Sequence, residues 1–229
     1  MLDERLVQID ARVYPWPVTA TKQPTARLGS TSRSAAQMRT LQAALELFAE
    51  HGVGATSYQM IADAIGVTKG AIYHQFKTKD EIIIAVAEME LAKLEDALEA
   101  AETEDNRVRG RELLLNRIID HAIEHRRAAN TFQFDPVIVR LLSDHLPFQR
   151  FVERLYGMLV GDETGPGTLV RLAALTCVVG GTVAHPLVAD LDDETLRTQL
   201  VDMVRQLVEL PAAPKVRTRR SNGSRTASI

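Results

Sequence analysis

Residues 56–82 read TSYQMIADAIGVTKGAIYHQFKTKDEI, and the punctuation inside this stretch decides the fold. Thr56 and Gln59 stand at capping-box spacing, which predicts a short helix running through Ile65. Gly66 follows, a residue that takes positive φ without steric cost and so can turn the chain sharply. Thr68 can then accept from the backbone at the start of another short helix, ending at about His74. Thr78 and Glu81 repeat the capping-box spacing and open a long helix from about Lys79 to Ala101.

Upstream, Leu41, Ala44, Leu45, Phe48 and Ala49 recur at helical spacing and make one apolar stripe. Gly52 sits where a helix commonly ends in a left-handed residue. Two short helices joined by a tight turn, with a third helix before them, have the geometry of a helix-turn-helix. Ala62 is small where the helices must approach. Ile61, Ile65, Val67, Ile72 and Phe76 are the expected filling beneath, with Leu45 and Phe48. The second short helix then presents Thr68, Lys69, Gly70, Ala71, Tyr73 and His74 outward. Between Gly66 and Lys79 lie three lysines, Lys69, Lys77 and Lys79, and no acid. Small residues at 70 and 71 allow backbone to approach a groove, and hydroxyls and lysines suit phosphates.

With those residues in view, the run resembles the helix-turn-helix signature of the TetR (tetracycline repressor) family, over about residues 34–94 and most specifically from Ile61 to Ile82. The resemblance implies an N-terminal domain that binds palindromic operator DNA as a dimer. It also implies C-terminal helices that enclose a small-molecule effector, the last two of them forming a four-helix dimer interface. Residue by residue, Thr56 resembles the helix cap beside a phosphate. Tyr73, His74 and Lys79 resemble backbone contacts, and Thr68, Lys69, Gly70 and Ala71 match the exposed start of the recognition helix. Gln75 departs from the commoner aromatic or histidine.

Composition agrees without deciding. The 229 residues carry 27 Lys/Arg against 30 Asp/Glu, a net charge of -3. That balance does not by itself indicate nucleic acid, but it is uneven. Residues 1–79 hold 9 Lys/Arg and 6 Asp/Glu, residues 80–210 hold 13 and 24, and residues 211–229 hold 5 and none. Positive charge is therefore local, at the two ends and around the recognition segment. No apolar run approaches the roughly 18 residues of a membrane span, and no leader is expected at the N-terminus. One cysteine, Cys177, allows no internal disulfide. The reading is a cytoplasmic protein with no membrane partner and no cofactor.

The expected class is all-α, in four parts. Residues 1–33, with Pro15, Pro17, Pro24 and Trp16, form a flexible arm. Residues 34–94 are the DNA-binding domain, its helix-turn-helix at about 57–76. Residues 95–210 are a helical ligand-binding and dimerisation domain, and residues 211–229 are a basic disordered tail. Helices in the third part are expected at 109–129, 133–145, 147–160, 166–189 and 192–210, with Pro186 kinking or ending the fourth of these.

Three features lie outside this frame. His121, Glu124 and His125 spell H-x-x-E-H, and two histidines four apart on a helix share a face and could hold a metal. With no third ligand recognisable in sequence, they read as the polar side of an amphipathic helix, and no metal is expected. Phe132, Phe134, Phe148, Phe151 and Tyr156 crowd one stretch and read as core, some of them lining a cavity. Cys177 reads as a buried small hydrophobe. The function expected is a sequence-specific regulator, not an enzyme. The alternatives are a metal-dependent helical enzyme using His121 and His125, and a ligand-independent architectural DNA binder.

Overall fold

The computed structural model describes residues 27–29, 31–161 and 165–208. The expected arm up to residue 26 with Trp16, turn residues 162–164, the side chain of Phe132 and the basic tail lie outside the described residues. Among those described there are ten α-helices and no strand: α1 Ala35–Ala55, α2 Tyr58–Ala64, α3 Lys69–Gln75, α4 Lys79–Glu102, α5 Arg107–Glu124, α6 Arg126–Phe134, α7 Pro136–Ser143, α8 Leu146–Val160, α9 Pro166–Val183 and α10 Asp193–Leu207, with a single 3-10 turn at Pro186–Val188.

The local signals act largely as their chemistry requires. Ser34 and Gln37 form a reciprocal capping box at the start of α1. The Thr68 and Thr78 hydroxyls accept from Ala71 N and Glu81 N at the starts of α3 and α4. Gly52 does take positive φ, at 79°, and bends the last turn of α1. One cap shifts by a residue. Ser57, not Thr56, caps α2 by accepting from Met60 N. Thr56 is buried, and its hydroxyl lies within bonding distance of the Leu47 and Gly52 carbonyls, closing the α1–α2 turn.

Farther along, tertiary structure overrides periodicity. The helix expected at 109–129 breaks at His125 (φ -112°, ψ 26°), where the ring turns to the Glu90 carboxylate at 3.1 Å. Asp135 ends α6 and caps α7, because the residue before Pro136 is pushed to extended backbone. The same restriction at His185–Pro186 stops α9 at Val183 instead of 189. The last residues of the expected arm are anchored. Leu28 is buried, Arg27 pairs with Asp96 and Glu99, and Arg33 pairs with Glu88, all acids of α4. Gly29, at φ 69°, lets this segment pass close to Ala92.

Two apolar clusters organise the molecule. One joins α1, α2, α3 and the first half of α4 to Ala128, Ile138 and Leu142 of α6 and α7. The other packs the second half of α4 with α5, α8, α9 and α10. Phe148 packs against both. Gly110 lets α5 cross α4 closely, since a Cβ there would lie 2.5 Å from the Ala101 carbonyl oxygen. Helix α10 is latched to α5 by Arg197–Asp120 at 2.6 Å and Arg205–Glu112 at 2.7 Å.

Three apolar expectations are corrected. Phe151 is core, but Phe134 is exposed at the end of α6. Val67, expected beneath the turn, is exposed because the turn itself faces outward. Cys177 is exposed on α9. Helix α9 is also long and apolar enough, by length and composition alone, to cross a membrane, although no such stretch was expected.

Candidate nucleic-acid interface

Two short helices cannot hold a fixed angle by themselves, so the interface begins with what clamps them. Gly66 turns the chain at φ 68°, and Val67 N donates to the Ala62 carbonyl at 3.0 Å. Ile61, Ala62, Ile72 and Phe76 are buried against Leu41, Leu45 and Phe48 of α1. Gln75 adds a polar tie, its side-chain oxygen lying 3.1 Å from the Thr40 hydroxyl of α1. Helices α2 and α3 are therefore held together on α1.

With α3 seated this way, Thr68, Lys69, Gly70, Tyr73 and His74 are exposed, and Ala71 is half-buried. Tyr73 is 55% exposed yet braced on two sides. Its ring lies 6.4 Å from that of Tyr58, and the Lys77 ammonium sits 5.1 Å from its centroid. Tyr58 donates to the Phe76 carbonyl at 3.4 Å. Burial, then the nearby Glu81 charge, raises the Tyr58 phenol above its ordinary value, so it remains a neutral donor.

Lys79 opens α4 half-buried, its ammonium donating to the Gly54 carbonyl at 3.3 Å. Glu81, in the first turn of α4, accepts from Lys77 N at 2.7 Å, one residue short of the reciprocal box expected with Thr78. The structure thus brings seven of the eight expected residues to one side of α3 and the α3–α4 turn. Thr56 is the exception, its hydroxyl committed to carbonyls within the fold. Reading the sequence missed Tyr58, Gln75 and Thr40 as supports, because their partners lie 15 to 35 residues away, farther than a capping motif reaches.

A second cluster of chemistry lies away from this surface. His121 and His125 stand ring to ring at 4.6 Å, and Glu90 of α4 supplies the acid that no sequence pattern revealed.

Residues 41–86 match the family described as "Bacterial regulatory proteins, tetR family". The chain is 38% identical over 90 residues to the HTH-type transcriptional regulator AcrR of Shigella flexneri, covering 38% of this chain and 42% of that protein. It is 33% identical over 117 residues to the HTH-type transcriptional repressor KstR2 of Mycolicibacterium smegmatis, covering 49% and 54%. The chain thus spans about half the length of the curated relatives it matches. The solved fatty acid degradation regulator FadR from Bacillus halodurans shares the fold at a TM-score of 0.59, with 16% identity, over 76% of this chain and 96% of that one. The helix-turn-helix that carries these matches is similar to that of the tetR family of bacterial regulatory proteins.

Proposed function

We propose that the protein is a cytoplasmic, dimeric transcriptional repressor that grips a palindromic operator and is released by a small, mostly apolar effector. The observation that carries this reading is the start of α3, with Thr68 to Gly70 exposed and Ala71 half-buried, flanked by the braced Tyr73 and by Lys77 and Lys79. Such an arrangement separates two tasks. Lysines and hydroxyls meet phosphates and set affinity, while small exposed residues at the helix start reach base edges. The test is binding to the DNA upstream of its own gene, measured against scrambled DNA over a salt series. Lys79→Ala is expected to weaken both alike and to reduce the salt slope by about one unit. A changed sequence preference with the slope intact would overturn the assignment of Lys79 to the backbone.

The dimer is assigned to α9 and α10. Val170 is 67% exposed, and Cys177, seven residues on, shares its face of α9. Met203 is exposed on α10. An apolar helix with one bare face gains most by meeting its copy. Val170→Asp is expected to shift the protein to monomer at micromolar concentration in sedimentation, and intact dimer should shield Cys177 from a thiol reagent. A dimeric Val170→Asp variant with rapidly labelled Cys177 would place the interface elsewhere.

Effector action is assigned to α4, which begins at the DNA-facing end and runs into the second apolar cluster. Half-sites on a duplex lie about 34–36 Å apart, so a small swing of α4 misplaces both recognition helices together. A coupling of about 1–3 kcal/mol changes operator affinity about 5–150-fold, and linkage makes operator weaken effector binding by the same factor. A titration with and without saturating operator is expected to show that shift. Equal effector affinity in both conditions would exclude this mechanism for the compound used.

A further inference from the structure

His121 projects from α5 into a largely buried position, and its Nδ1 is buried with no hydrogen-bond partner. Leaving such an atom unpaired costs about 1–3 kcal/mol, so its surroundings call for an explanation. Its neighbours provide one. His125 stands one helical turn on, where α5 breaks, and Glu90 faces both histidines from α4 with its side chain only 11% exposed. One ligand-capable atom from each of the three falls within 4.8 Å of the others. We propose that Glu90, His121 and His125 form a binding site for a divalent first-row transition ion of the zinc type, held between α4 and the end of α5.

The donor set supports this class. Two imidazoles and one carboxylate suit zinc and its neighbours, whereas calcium and magnesium favour all-oxygen sites. Bonds of about 2.0–2.2 Å to one tetrahedral ion place its ligands about 3.3–3.6 Å apart. His125 Nδ1 and Glu90 Oε2 stand at 3.1 Å, within a few tenths of an ångström of that spacing, and one ligand atom of His121 lies within 4.8 Å of its partners. The competing explanation is a plain ion pair between Glu90 and His125. That pair satisfies one imidazole and leaves the other bare. Three protein ligands leave at least one position for water or a small anion. Glu124 edges the site, 4.0 Å from His125 Nε2 and 3.9 Å from the Lys93 ammonium. The site stands on its own chemistry, whether or not the chain represses an operator.

The test uses the full chain freed of metal by chelation. Calorimetric titration with Zn2+ is expected to show one equivalent per chain, undisturbed by excess Mg2+. Glu90→Gln and His121→Gln are each expected to weaken it by at least about tenfold, since even outer-shell changes cost that much. Thermal melts of the metal-free variants establish that they fold. Should either fail to fold, Co2+ bound to the unaltered protein provides a second readout, with the visible spectrum of a four- or five-coordinate imidazole site. Zn2+ should likewise protect His121 and His125 from acylation, read by peptide mass. No binding at micromolar Zn2+, wild-type affinity in a folded His121→Gln variant, or acylation unaffected by Zn2+ would each overturn the proposal.

Discussion

Phe48→Ala is expected to destabilise the protein by about 3–5 kcal/mol, the range for truncating a fully buried aromatic. Phe48 has no exposed surface and lies in the cluster that seats α2 and α3 on α1. That cluster also contains Ala128, Ile138 and Leu142, so a cavity there loosens α6 and α7 as well as the helix-turn-helix. Domains are stable by only about 5–15 kcal/mol, and this one change removes a large share of that. Urea melts give the loss, and hydrogen exchange shows its extent. Protection should fall across both α1–α3 and α6–α7. A loss under about 1 kcal/mol, or faster exchange confined to α1–α3, would contradict the packing described.

Arg154→Ala is expected to destabilise by about 3 kcal/mol, through what it leaves behind more than through what it removes. Glu95 is 1% exposed on α4 and pairs with the Arg154 guanidinium, which also holds Glu102 at 2.7 Å. Breaking a buried pair from one side strands a charge and typically costs about 3–5 kcal/mol. Arg154 itself is partly open to water, so the lower end applies. Adding Glu95→Met to Arg154→Ala separates charge stranding from lost packing, since both variants lack the arginine stem and differ in the buried carboxylate. It should recover most of the stability, because apolar substitutes for a buried pair are often neutral or better. Equal losses in the single and double variants would mean that packing by the arginine stem, and not the stranded carboxylate, carries the effect.

What could be read from the sequence follows the reach of each interaction. Thr68, Gly66 and Thr78 act on backbone atoms within four residues, so the helix-turn-helix and the start of α4 are legible in the letters alone. At α2 the two adjacent hydroxyls of Thr56 and Ser57 leave a one-residue ambiguity that only packing resolves: Thr56 points inward, Ser57 outward. The break at His125 has no glycine or proline to announce it. Glu90 lies 35 residues before the histidine it meets, and nothing local links them. Anchoring of Arg27 and Arg33 on α4 is equally long-range and left no mark in a segment rich in proline and serine. Exposure of Cys177 is hidden for another reason, since an apolar helix reads alike whether it meets its own core or a second chain.

The meeting of the two apolar clusters at Phe148 has a consequence for how such a chain can diversify. Each cluster keeps its own packing constraints, and among the described residues Phe148 is the side chain that answers to both. Substitutions that reshape the interior of α5, α8, α9 and α10 can therefore accumulate without disturbing the seat of the recognition helix. An N-terminal unit of fixed design can be inherited beside a body free to vary, in keeping with a family match that falls on residues 41–86. Position 148 is then where a library aimed at reshaping the second cluster should stop, because a change there is felt by both clusters at once.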